Sequence, residues 1–187
     1  ERSVDAVAAS LVEFYPASLV DLRGSSAPRS FADIVELYPY FDAVPLIRFR
    51  PGKGPKKINV SASARLFERH GIRRPRPPSA LVPAWLDRRL PQLPGRSATM
   101  KTPIVRWREN VWLAETHRSN VPPTRDVLLA LAHFKFTHTW AQKIEEALRL
   151  RSFAGKSEKY EGYSRLLQCM RDSDASFLGP DSRSYTG

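Results

Sequence analysis

A single cysteine, Cys169, and the lack of any long apolar run set the first limits on this sequence of 187 residues. One thiol closes no internal disulfide and builds no cysteine-based zinc site, so neither an oxidising compartment nor a zinc ribbon is indicated, and a reducing compartment is expected. The longest uninterrupted apolar stretches, such as residues 127–132, stop far short of the roughly 18 residues that a membrane span needs. Glu1 opens the chain with neither an initiator Met nor a basic-then-apolar leader, and a coding sequence that extends upstream is the expectation. Catalytic signatures are scarce as well. No Ser-centred nucleophile elbow, Gly-rich phosphate loop or His-x-x-x-His pair with an intervening glutamate is present, which removes the common hydrolase classes. Pro51-Gly52-Lys53-Gly54-Pro55-Lys56-Lys57 lacks the spacing and the closing Ser or Thr of a P-loop and reads as a basic turn.

What the chain has in excess is positive charge, and in one place. Residues 1–45 hold three basic and seven acidic side chains, residues 46–110 sixteen and three, and residues 111–187 eleven and nine. The three parts carry −4, +13 and +2 of the net +11. Such a field draws in nucleic-acid backbone, anionic lipid headgroups or the diphosphate of a small ligand, and charge alone does not choose among them. With 42% hydrophobic and 26% charged residues, the composition is that of one soluble domain covering 1–187.

Prolines punctuate the first two thirds and are absent between Pro123 and Pro180, which leaves room for long helices. A helix capped by Thr137 or Thr139 is predicted through Trp140, Ile144 and Leu148, with Gly155 just past its end. A second is predicted over 157–170, where Tyr160, Tyr163, Leu166, Leu167 and Met170 recur every three or four residues. These two helices fill 137–171, and 172–187 reads as a coil tail. Before them, 128–136 reads as a strand with Ala130, Ala132, Phe134 and Phe136 on one face and Leu129, Leu131, His133 and Lys135 on the other. His133 and Lys135 then stand about 7 Å apart at Cα, from a rise of roughly 3.3 Å per residue.

The earlier part, 1–72, reads as α/β with many loops. An element over 4–14 ends at Tyr15-Pro16, a loop follows over 18–30, and strands over 44–49 and 58–67 are separated by a turn cluster at 51–55. Residues 73–98 read as a Pro/Arg-rich loop excursion. Within 99–136, the stretches 104–107 and 111–114 flank Arg108-Glu109-Asn110 and suggest a hairpin. No internal repeat of fixed period occurs.

Lys101-Thr102-Pro103-Ile104-Val105-Arg106-Trp107, then Thr116-His117, then Leu131-Ala132-His133-Phe134-Lys135-Phe136 resemble, in order and spacing, the C-terminal half of bacterial family 2 glycosyltransferases with the GT-A fold. Phe14-Tyr15-Pro16, Tyr40-Phe41-Asp42, the strand end Arg65-Leu66-Phe67, Glu158-Lys159-Tyr160-Glu161-Gly162-Tyr163 and Asp181-Ser182-Arg183-Ser184-Tyr185 extend the resemblance over nearly the whole chain. It implies an α/β fold: the C-terminal portion of a GT-A-like, Rossmann-like glycosyltransferase, with mixed strands followed by a helical C-terminal region. It also implies a chain that starts after the nucleotide-binding half and its Asp-x-Asp metal motif, since Asp172-Ser173-Asp174 sits in a polar tail and reads as coil. Ser61-Ala62-Ser63-Ala64 departs from the family, which tends to carry glycines there.

A sugar-nucleotide transferase must neutralise a diphosphate as it leaves the sugar, and metal with cationic side chains does so electrostatically. By the resemblance, His133 and His117 are candidate ligands of Mn²⁺ or Mg²⁺, Lys135 and Lys101 candidate donor-diphosphate ligands, and Asp42 or Glu115 the candidate general base. The plain alternative is a His133 hydrogen-bonded within the fold and a Lys135 that reaches solvent. His70 and His138 read as loop or structural histidines. Trp107, Trp112 and Trp140 suit sugar stacking or, equally, core and cross-strand contacts. The expected partners are a nucleotide-sugar donor and a glycan or lipid-linked acceptor, in the cytoplasm or peripheral to the inner face of a membrane, with self-association where an unpaired sheet edge is exposed. Two other classes compete: a module binding nucleic acid or another anionic surface through residues 48–108, and a remnant without catalysis. Nucleic acid is disfavoured because the arginines of 73–89 are interleaved with prolines rather than aromatics.

Overall fold

The strand β1, Ala6–Tyr15, is apolar on both faces apart from Ser10 and Glu13, and nearly all of it is buried. A strand of that kind needs partners on both edges and cover on both faces, and the fold of this computed structural model supplies them. The structure describes residues 5–22, 28, 30–43, 47–50, 53–57, 61–72, 100–115, 118–151, 157–173 and 176–186.

Eight further strands follow in chain order among the described residues: β2 (Tyr40–Asp42), β3 (Ile47–Arg50), β4 (Lys53–Lys57), β5 (Met100–Val105), β6 (Leu113–Glu115), β7 (Arg118–Ser119), β8 (Leu128–Phe134) and β9 (Ser182–Ser184), of which β2, β5, β8 and β9 join β1 in one sheet. The β8 strand runs parallel to β1 from Ala8↔Leu128 to Phe14↔Phe134. The opposite edge is shared, because β5 lies antiparallel to the first half of β1 and β2 antiparallel to its last two residues. Beyond β2 lies β9, with Asp42 opposite Ser182. Four helices accompany the strands among the described residues: α1 (Phe31–Leu37), α2 (Ala62–Arg69), α3 (Trp140–Leu150) and α4 (Glu158–Asp172). The architecture is therefore mixed α/β, an open and mostly antiparallel sheet with helices packed on it.

Alternation along β1 separates two packing faces. Phe14 turns one way, towards Phe41, Phe134 and Tyr185. Tyr15 turns the other way, into a cluster with Leu66 and Phe67 of α2, Trp140 and Ile144 of α3, and Tyr163, Leu166 and Met170 of α4. At the centre of that cluster Phe136 stands 5.0 Å from both the Trp140 and the Phe177 rings. The interval of three or four residues between the buried positions of α3 and α4 explains their orientation. Gly162 of α4 faces the Phe67 ring so closely that a Cβ would lie 3.1 Å from it, so the two helices meet where no side chain intervenes.

The predicted elements over 4–14, 128–136, 137–148 and 157–170 correspond to β1, β8, α3 and α4. Four expectations are corrected. The strand over 58–67 and its strand end Arg65-Leu66-Phe67 form the helix α2, because Ser61 accepts a hydrogen bond from the Ala64 N–H and the Ala-Ser-Ala-Arg-Leu-Phe run places Leu66 and Phe67 inward together. Residues 53–55 of the turn cluster belong to β4, paired with β3 through Arg50↔Lys53. The hairpin of 104–107 with 111–114 does not form: β5 is drawn to β1, and β6 pairs instead with β7. The coil tail over 172–187 contains β9 and the fully buried Phe177, whose N–H donates to the Ala17 carbonyl. Residues 44–46, 58–60, 73–98, Gly155 and Asp174 lie outside the described residues.

Truncating Phe177 removes the ring that closes the aromatic cluster. Phe177→Ala is expected to lose about 3–5 kcal/mol of stability, measured by equilibrium urea unfolding; a loss within about 0.5 kcal/mol means that the tail is not part of the core.

Candidate functional site

Glu13 places a carboxylate, 6% exposed, in the middle of a buried strand. An unpaired charge there is costly, and three groups answer it. The Ser63 N–H donates to Oε2 at 2.9 Å and the Ser63 hydroxyl donates to the same oxygen at 2.9 Å. The Lys135 ammonium donates to Oε1 at 2.8 Å and to the Ser63 hydroxyl oxygen at 2.5 Å. Ser63 lies in the first turn of α2, so the carboxylate also satisfies a helix N–H that has no partner within the helix and sits where the helix dipole favours an anion.

The protonation states follow from these contacts. Burial alone raises the Glu13 carboxyl, but the Lys135 charge and the Ser63 bonds outweigh it and hold Glu13 below the ordinary carboxylate range. Burial alone lowers Lys135, and the Glu13 charge with the Tyr163 hydroxyl outweighs it and leaves Lys135 raised. The pair is therefore ionised at neutral pH. The ammonium also stands 5.2 Å from the centre of the Tyr163 ring, a cation–π contact.

His133 occupies the β8 position directly opposite Glu13, with Nδ1 3.9 Å from Oε1. Its side chain is 40% exposed, while Nδ1 itself is buried and makes no hydrogen bond among the described residues. Desolvation and then the Lys135 charge push the imidazole below its ordinary value, Glu13 opposes them, and Lys101 and Lys159 lower it further. His133 is thus neutral at pH 7. Lys101 stands opposite Ala9 on β1, on the same face as Glu13. The fold therefore brings two predicted site residues, His133 and Lys135, to a Glu13–Ser63 pair to which the sequence reasoning gave no role, while Lys101, opposite Ala9, is near enough for its charge to act on His133.

The remaining predicted residues are not placed there. Asp42 accepts two hydrogen bonds from Arg65, at 2.9 and 3.2 Å, and one from the Tyr15 hydroxyl at 2.5 Å. Burial and then the Asp42 bond push Tyr15 well above the ordinary phenol range, so it stays protonated as the donor. Arg65 also donates to the Phe177 carbonyl at 3.0 Å, packed so close to Gly179 that a Cβ there would lie 2.7 Å from the guanidinium. Asp42 is a member of a clasp that ties β2, α2 and the C-terminal segment together. Glu115 lies on β6, with its side chain outside the described residues, as is all of His117. At His138 the backbone N–H donates to the Tyr38 hydroxyl at 3.0 Å, and Nδ1 lies 3.4 Å from the same oxygen. Trp140 is core, whereas Trp107 and Trp112 are exposed.

The described residues do not fit a resident Mn²⁺ or Mg²⁺. Among them no group of three metal-ligating side chains occurs. The one carboxylate beside His133 has already been neutralised by an ammonium, and two more lysines act on the same imidazole. A divalent cation needs several oxygen ligands and a negative field, and here the field is positive. Comparison with family models, with curated proteins and with solved structures gives no match.

Lys135→Met strands the Glu13 charge in the interior and is expected to lose about 3–5 kcal/mol, while the double variant Glu13→Gln/Lys135→Met recovers most of that loss. Urea unfolding of the three proteins gives the test, and a double variant no better than the single one shows that the pair is not the source. The pH dependence has a definite sign. Glu13, lowered on folding, stabilises fully above its ordinary 4.5 and loses that contribution as pH falls through its folded value. Lys135, raised on folding, stabilises fully below 10.5 and loses its contribution as pH rises through its folded value. Glu13→Gln is expected to flatten the acid limb of stability against pH.

Proposed function

We propose that this chain is a glycosyltransferase domain that binds the diphosphate of a nucleotide-sugar donor beside His133 of β8, with Lys101 of β5 and Lys159 of α4. The observation that carries the reading is that the charges of Lys101 and Lys159 both act on His133, which stands beside a carboxylate already neutralised by Lys135. Because Lys135 balances Glu13, the charge left to attract a ligand is positive, and Lys101 and Lys159 stabilise the diphosphate as negative charge develops on it. His133, neutral at pH 7, takes the proton of the acceptor hydroxyl. The acceptor oxygen then bonds to the anomeric carbon, and the carbon–oxygen bond to the diphosphate breaks with its electron pair going to the leaving group. The resemblance in the order of the Lys101–Trp107, Thr116-His117 and Leu131–Phe136 segments supports the same class. A cytoplasmic setting, peripheral to the inner face of a membrane, suits donor and acceptor alike. No helix among the described residues is long and apolar enough to cross a membrane.

A second reading has its own observation. The β3–β4 register pairs Arg48 with Lys56 and Arg50 with Lys53, which gathers basic positions of the most positive third of the chain on one hairpin. In that reading the chain binds nucleic acid.

Thermal unfolding with UDP, GDP and pyrophosphate, each in EDTA and in Mn²⁺, tests the first reading. A ligand at about 100 times its Kd adds roughly 2.7 kcal/mol, expected as a rise in Tm of several degrees, with or without metal, that Lys101→Glu abolishes. His133→Ala is expected to keep binding within about threefold while losing about 10²-fold or more in transfer rate. No rise at millimolar diphosphate, with retention of single-stranded oligonucleotide at low salt, favours the nucleic-acid reading instead.

A further inference from the structure

The sheet face turned away from Glu13 carries a second concavity. Side chains alternate along β1, so Phe14 points opposite to Glu13, and the aromatic group around Phe14 and Phe134 adjoins an open groove of about 510 Å³. The groove is lined by Phe31, Ala32, Val35 and Glu36 of α1, by Pro39, and by Tyr185 just after β9. Phe31 is 59% exposed and Tyr185 42%, yet each ring is steadied by a near-perpendicular contact, Phe31 with Phe134 at 6.4 Å and Tyr185 with Phe14 at 5.9 Å. The Tyr185 N–H donates to the Pro39 carbonyl at 2.8 Å, and a capping box between Ser30 and Asp33 opens α1. The frame of the groove is therefore set before a ligand arrives, which lowers the cost of binding.

Two features of the lining select its occupant. The first is charge. Glu36 is the one charged residue in the lining, and its carboxylate has no hydrogen bond or ion pair among the described residues. Residues 30–43 hold Asp33, Glu36 and Asp42 but no Lys or Arg, on a chain of net charge +11, and Arg183 is turned to the Ser182 carbonyl at 2.8 Å. A carboxylate beside two exposed rings draws a cation. The second feature is a shortage of backbone partners. Pro39 has no N–H and its carbonyl is already taken, and apart from Glu36 the rest of the lining is aromatic or aliphatic. An ordinary peptide laid there strands its N–H groups against apolar side chains, whereas proline has none to strand. We propose that this groove binds a proline-rich peptide of a partner protein, its pyrrolidine rings against Phe31, Pro39 and Tyr185 and one arginine on Glu36. Polyproline segments are extended before they bind and suit aromatic-lined grooves, and a guanidinium both forks onto a carboxylate and lies on ring faces. The site stands on the opposite face from His133 and is independent of the transfer reading.

NMR titration of the isotope-labelled whole chain with end-blocked pentapeptides tests the idea. The probes are Pro-Pro-Arg-Pro-Pro, whose central arginine serves either chain direction, Pro-Pro-Glu-Pro-Pro and Ala-Ala-Arg-Ala-Ala. The first is expected to shift the amides of residues 31–38 and of Tyr185, and to bind at least about tenfold more tightly than the glutamate peptide and about fivefold more tightly than the alanine peptide. Glu36→Lys, at an exposed position, is expected to invert the preference between the arginine and glutamate peptides, which a merely structural role does not do. Phe31→Ala is expected to weaken both proline peptides by about fivefold. No shift of those amides at millimolar Pro-Pro-Arg-Pro-Pro overturns the proposal, as does a preference for arginine that survives Glu36→Lys. Equal binding of Ala-Ala-Arg-Ala-Ala reduces the groove to a bare cation site and overturns it too. A concentration-dependent dimer of the unliganded chain that Glu36→Lys dissociates gives the groove to a second copy and likewise overturns the proposal.

Discussion

A carboxylate in the middle of a two-sided strand has to be neutralised before the sheet can close over it, and much of the fold is arranged around that requirement at Glu13. Its solution draws on two distant stretches of chain. Ser63 arrives at the start of α2 and Lys135 at the end of β8, so the ion pair forms only when helix, central strand and parallel strand are all in place. Either charge alone is heavily penalised in the interior. The pair is thus a condition on assembly: a shift of β8 by one residue against β1 sends His133 and Lys135 to the wrong face and leaves Glu13 buried and unmatched.

The same short helix holds the other polar contact of this face. Ser63 serves Glu13, and two positions later Arg65 serves Asp42, Tyr15 and the Phe177 carbonyl. Glu13 and Tyr15 are likewise two apart on β1, and so share a face. The two clusters are successive rungs between one strand and one helix, and they differ in consequence. The Asp42 clasp leaves its carboxylate filled with donors and pins the C-terminal segment, to which Arg69 adds bonds at the Ser176 and Leu178 carbonyls. The Glu13 rung lies next to a partly exposed histidine and two further lysines, so only this one has chemistry at its outer edge.

Where the sequence has a strong period, its reading and the fold agree. The Trp140, Ile144 spacing and the Tyr163, Leu166, Met170 spacing mark α3 and α4, and the alternation around His133 and Lys135 marks their shared face. Errors arise where tertiary partners decide. Residues 62–69 are few and mixed in character, and it is the Ser61 cap together with the Glu13 carboxylate that makes them helical. Short β9 has no pattern of its own and is a strand only because β2 presents an edge. Of the site, His133 and Lys135 are legible as neighbours on one face of a strand and, with Lys101, through the resemblance, whereas Lys159 carries no signal of its own. Glu13 was missed, although the signal was there: one acidic residue within Ala-Val-Ala-Ala-Ser-Leu-Val-Glu-Phe-Tyr has to be paired by something.

The distribution of charge around His133 also explains why cation and anion are not equally welcome. Were Glu13 free, a carboxylate 3.9 Å from an imidazole would raise that imidazole and supply the first ligand for a metal ion. Burial and then the Lys135 charge outweigh the Glu13 carboxylate at the ring, Lys101 and Lys159 add to them, and the balance favours the neutral imidazole. A neutral ring among ammonium groups repels no phosphate and keeps a lone pair for a proton. If a phosphate dianion binds there as proposed, it screens Lys101 and Lys159, two of the influences that lower His133, and makes the ring a better proton acceptor. On the proposed reading, the buried pair does more than solve a packing problem, because it sets the field in which binding an anion and accepting a proton would reinforce one another.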